Sequence, residues 1–99
     1  MMRGVFINDS DSNQVFGNQL HGNGLFGVHL FDGASSNSIG CPLLAGDPDD
    51  PALRNVVYNN DLGGIVIEQD NSHSNLVLCN WIGLDSLGGA APNGGLWVQ

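Results

Sequence analysis

The residues with the most chemical potential in this 99-residue chain are its acids. Asp9, Asp11, Asp32, Glu68 and Asp70 fall at comparable places in successive stretches of the sequence. Paired carboxylates can hydrolyse glycosides, one as acid and the other as base or nucleophile. The same oxygens could hold calcium. A second acidic stretch, Gly46-Asp47-Pro48-Asp49-Asp50-Pro51, matches no EF-hand spacing and reads as an exposed loop stiffened by proline. The two cysteines, Cys41 and Cys79, form no CxxC and stand at no zinc-ligand spacing from a histidine. Neither has a histidine spaced to activate it as a nucleophile. His21 and His73 fall in turns and read as surface residues. No cofactor is expected, calcium at the turn carboxylates being the single candidate.

The totals narrow the partners. Net charge is −8, from ten acids against Arg3 and Arg54, with no lysine. Such a surface repels phosphate backbones, so neither nucleic acid nor an anionic membrane is an expected partner. No apolar run is long enough to span a bilayer, so no membrane insertion is expected. The apolar stretch after Met1 is too short for a secretory signal. At 41% hydrophobic residues the chain is too apolar for a disordered tail. Its length suits one small domain.

The elements that must position these groups come from an internal repeat. Four stretches open alike: Gly4-Val5-Phe6-Ile7, Gly27-Val28-His29-Leu30, Gly64-Ile65-Val66-Ile67 and Gly95-Leu96-Trp97-Val98. A second strand follows from Asn13, Asn37 and Asn75, and a third from Asn18, Asn55 and Asn80. First to second strand takes 9, 10 and 11 residues, second to third 5, 18 and 5, and third to the next first 9, 9 and 15. A base unit of 23 residues is therefore interrupted twice, by a loop at 42–54 and by another within 85–94. Glycine and asparagine break every window of helical length, which excludes a helical reading. The spacing predicts an all-β solenoid of three short strands per coil and three to four coils, each strand pairing with its counterpart one coil away.

Alternation then sorts the side chains. The inward columns are Val5/Val28/Ile65/Leu96, Ile7/Leu30/Ile67/Val98, Val15/Ile39/Val77 and Leu20/Val57/Ile82. The turn columns carry asparagine, which tolerates the left-handed conformation and bonds to local backbone or to the next amide in a ladder. The outward column of the first strand is Phe6, His29, Val66 and Trp97, and it reads as exposed. Two aromatics on a solvated sheet face suggest a contact surface. Cys41 and Cys79 occupy equivalent positions. Parallel Cβ vectors on in-register strands favour a stacked pair of buried thiols over a disulfide, and the pairing stays open.

The phrases Ser36-Asn37-Ser38-Ile39-Gly40, Arg54-Asn55-Val56-Val57-Tyr58-Asn59-Asn60, Gly64-Ile65-Val66-Ile67 and Asn80-Trp81-Ile82-Gly83-Leu84-Asp85 resemble the right-handed parallel β-helix repeats of large bacterial extracellular and surface proteins, whose superfamily is similar to the pectate lyase fold. The resemblance covers nearly the whole chain. It rests on turn and core residues, so it speaks for fold more than for activity. Cys41-Pro42 departs from it, since small polar residues are usual there. The resemblance implies an extracellular or cell-surface location. It also implies that the Phe6, His29, Val66 and Trp97 column could stack on sugar rings, with a polysaccharide or cell-surface glycan as partner. A calcium-assisted lyase of that superfamily also needs a strong base. With only Arg3 and Arg54 present, the balance leans away from an enzyme.

The expectation is therefore a single β-helix segment over residues 1–99, with uncapped ends that meet neighbouring coils of a longer parent. Its role would be structural or adhesive, with carbohydrate binding. The alternative is a polysaccharide lyase or glycoside hydrolase.

Overall fold

A computed structural model describes residues 2–41, 51–68 and 72–94. Nine strands follow one another: β1 (Arg3–Asn8), β2 (Gln14–Val15), β3 (Gln19–His21), β4 (Phe26–Phe31), β5 (Ser38–Gly40), β6 (Val56–Tyr58), β7 (Gly63–Ile67), β8 (Leu76–Leu78) and β9 (Trp81–Ile82). They form three parallel sheets in the orders β1-β4-β7, β2-β5-β8 and β3-β6-β9. No helix occurs among the described residues. Each strand thus pairs with the strand holding the same place in the next repeat, which is the arrangement the spacing predicts. The expected strand at 95–98 and residues 42–50 of the insertion lie outside the described residues.

The registers follow the aliphatic columns. Val5 pairs with Val28 and Val28 with Ile65; Ile7, Leu30 and Ile67 align likewise. Val15, Ile39 and Val77 align in the second sheet, and Leu20, Val57 and Ile82 in the third. A slip of one residue would turn every aliphatic side chain to the opposite face, so burial holds the register. The core forms around Ile7, Val28, Leu30, Ala34 and Ile39, with Val5, Val15, Leu20, Ile65 and Ile67 against it. Burial is greatest in the middle repeat, where each strand has a neighbour on both sides. Ile39 and Val57 are 0% exposed, against 36% for Val77 and 49% for Ile82.

The turns between sheets are built from residues that accept the left-handed backbone. Ser12, Ser36 and Ser74 all have φ near +60°, each directly before the asparagine that opens the next strand. These and the asparagines of the other two turn columns form three ladders: Asn13-Asn37-Asn75, Asn18-Asn55-Asn80 and Asn23-Asn60-Asn93. At each step the Nδ2 of one amide donates to the Oδ1 of the next, at 2.8–3.1 Å. Backbone N–H groups of Asn13, Asn18, Asn23, Asn37 and Asn60 donate to the same Oδ1 atoms. Asn37, Asn55 and Asn60 are almost wholly buried. Buried amides need such partners, because an unpaired polar group in the interior is costly.

Candidate functional site

The outward side of the first sheet carries the column expected to be exposed. The register is as expected, with Phe6 opposite His29 and His29 opposite Val66. The exposure is not. His29 and Val66 are each only 4% exposed, whereas Phe6 is 43% exposed. Trp97 lies outside the described residues. His29 is covered by its own neighbourhood. The ring centroids of Phe26, Phe6 and Phe31 lie 4.9, 5.1 and 5.4 Å from that of its imidazole. Phe26 reaches across Gly63, where an added Cβ would sit 3.2 Å from the phenyl ring. The outer face of this sheet is therefore a small second core of three aromatics around a histidine.

Charged groups close that cluster on two sides. Arg3 Nε–H donates to His29 Nδ1 at 2.9 Å, and the Arg3 guanidinium lies 4.3 Å from the Phe6 ring centroid. Glu68 Oε1 stands 2.5 Å from His29 Nε2. The Glu68 carboxylate is thus the partner of the Nε2 edge of the ring. Because Nδ1 accepts from Arg3, the neutral imidazole carries its proton on Nε2. Burial pushes the His29 pKa below its ordinary value of 6.5. Glu68 opposes this and Arg3 adds to it. Protonation at Nδ1 would also set two donors against each other. With both ring nitrogens engaged, His29 is not placed to act as a free acid or base.

A pH effect on stability follows. The unfolded chain takes up a proton at His29 near pH 6.5, while the folded chain does so at lower pH. Between those values the unfolded state binds more protons, so stability falls as pH drops below 6.5 and levels off below the folded pKa. The melting temperature is expected to decline across this window, before most carboxylates titrate near pH 4. In His29→Gln that decline should be absent. An equal decline in both proteins would refute this assignment.

Asp9 and Asp32 directly follow the register partners Asn8 and Phe31, so these two turn acids stand in adjacent repeats. Asp9, Asp11 and Asp32 are exposed, and Asp11 Oδ1 accepts the Ser35 N–H at 3.0 Å. Glu68 turns to His29, and Asp70 lies outside the described residues. Among the described residues no three His, Cys, Asp or Glu side chains are grouped to hold a metal ion. Asp85 caps its own turn, its Oδ1 accepting from Leu87 and Gly89 N–H. His21 and His73 are exposed, as expected, but His21 ends strand β3 and does not lie in a turn.

Cys41 and Cys79 are bonded as a disulfide, with Cα atoms 5.6 Å apart. The favoured pair of free thiols is thus corrected. Both residues lie just past their strands, where Gly40 and Cys79 have φ of +102° and +64°. The backbone there no longer holds the Cβ vectors parallel as in-register strands would. The bond closes 38 residues of chain, including the insertion. Reduction, or Cys41→Ala with Cys79→Ala, is expected to cost about 3 kcal/mol, chiefly through the entropy of the unfolded chain. A urea titration with and without dithiothreitol measures it.

The outer face of the third sheet holds aromatic contacts that the sequence reading did not single out. His21 and Tyr58 are register partners on β3 and β6, and their rings stack 4.7 Å apart at 8°. The Arg54 guanidinium lies 3.9 Å from the Trp81 ring centroid. Period-two alternation along Gln19–His21 and Val56–Tyr58 was the available signal. Comparison with protein-family models, curated proteins and solved structures finds no match to this chain.

Proposed function

We propose that the chain is a segment of a right-handed parallel β-helix, with three strands per coil, from a secreted or surface-attached bacterial protein. Its role in this reading is structural and adhesive, through binding of carbohydrate. The observation that carries the solenoid is the pairing of strands one repeat apart, in the same order, in all three sheets. Parallel crossover connections are right-handed in nearly all proteins, which supports the hand. A disulfide persists best in an oxidising compartment, and this supports a location outside the cytoplasm. The acidic surface and the outward aromatics support an uncharged, ring-containing ligand over a polyanion. The engaged state of His29 speaks against that residue as a catalyst.

A polysaccharide array tests the reading. The folded chain, with its disulfide intact, is expected to bind glycans without calcium and without releasing product. Binding that requires calcium and releases shortened chains would instead favour a lyase or hydrolase. An absence of binding would remove the carbohydrate role and leave a structural segment.

A further inference from the structure

We propose that the free face of the Tyr58 ring is a binding position for one pyranose unit of a neutral polysaccharide. The inference rests on the carbohydrate-binding reading above and gives it a site, on the third sheet and away from the Phe6 column. On one side Tyr58 is stacked by His21, nearly parallel and at the spacing of adjacent strands. By continuation of the Val57–Ile82 register, the position on the other side is Gly83. Gly83 places no side chain there. An added Cβ would meet nothing within 4 Å except the Pro92 Cα, at 4.0 Å. Among the described residues no second ring stacks on Tyr58, and the ladder position beyond it carries no side chain, with Pro92 beside it.

The local chemistry selects the ligand. A phenol ring fixed from behind by a second ring offers a flat, pre-oriented platform at little entropic cost. The axial C–H groups of a pyranose face complement it. Trp81, two residues before Gly83, already carries the Arg54 guanidinium over its ring at 3.9 Å, so the position is confined to Tyr58. The chain's net charge of −8 disfavours polyuronates and sulfated glycans. Neutral glucans, xylans or mannans remain as the class.

Hexasaccharides of β-1,4-glucan, β-1,3-glucan, β-1,4-xylan and β-1,4-mannan, with a galacturonate hexamer as the charged probe, would be titrated at millimolar concentration. Amide and ring NMR shifts of the intact chain report the site. A neutral probe is expected to shift Tyr58, His21, Gly83 and Pro92. Tyr58→Ala should weaken it about tenfold or more and Tyr58→Phe should retain it. Shifts confined to Phe6 and its neighbours, with loss in Phe6→Ala alone, would overturn this site and keep the carbohydrate reading. Preference for the galacturonate hexamer would overturn the neutral class. No binding by any probe would overturn both. The shift map of the wild-type chain decides the location even if Tyr58→Ala does not fold.

Discussion

Gly40→Ala is expected to prevent folding. Gly40 ends β5 with φ at +102°, and its Cα faces the next repeat so closely that an added Cβ would fall on the Leu78 carbonyl oxygen. The Asn80 side chain crowds the same space at 2.9 Å. Neither neighbour can yield, because Asn80 belongs to a ladder and Cys41 N–H donates to Leu78 O. Relief would require the second sheet to part at the Cys41–Cys79 bond. The expected loss exceeds about 5 kcal/mol, comparable with the whole stability of a small domain. Gly22→Ala supplies the control. Its φ is +70°, yet an added Cβ there meets nothing within 4 Å. That variant should lose only the left-handed penalty, about 1–2 kcal/mol. Circular dichroism melts of both separate the two causes: equal losses would mean that backbone conformation alone is responsible and that the close approach does not matter.

The strand columns were legible in the sequence because two periods coincide there. Alternation along each strand names an inward face, and the repeat names its partner, so Val15, Ile39 and Val77 could be aligned before any coordinate was known. The environment of His29 was not legible. Its column position is a matter of period, but its burial depends on Phe26 crossing Gly63 and on Arg3 and Glu68 arriving from two other repeats. Alternation cannot distinguish an outward side chain in water from one under three rings. Cys41 and Cys79 failed for a related reason. The repeat gives both positions strand geometry, whereas the left-handed residues beside and at them turn the chain. The His21–Tyr58 stack follows from the repeat, which makes both residues outward neighbours in register, although nothing in the chemistry of an exposed histidine marks it.

Asn55→Ala is expected to cost about 3–5 kcal/mol, well above the loss for an ordinary turn residue. Asn55 is 0% exposed, and every polar atom of its amide is used. Its Oδ1 accepts from both the backbone N–H and the Nδ2 of Asn18; its Nδ2 donates to Val15 O and to Asn80 Oδ1. Truncation strands partners in the repeats on both sides at once, and each buried group left unpaired costs about 1–3 kcal/mol. Asn55→Asp should do no better, although it keeps the shape. Its second carboxylate oxygen would replace Nδ2 and confront the Val15 carbonyl and the Asn80 Oδ1, oxygen against oxygen. Asn18→Ala, at an exposed position where water can replace the lost bonds, should cost about 1 kcal/mol or less. Urea denaturation of the three variants orders them. If Asn55→Asp matched the wild type, the direction of donation along the ladder would be wrong; if Asn55→Ala matched Asn18→Ala, the amides would be filling turns without joining the sheets, and the stacking of repeats would rest on the aliphatic columns alone.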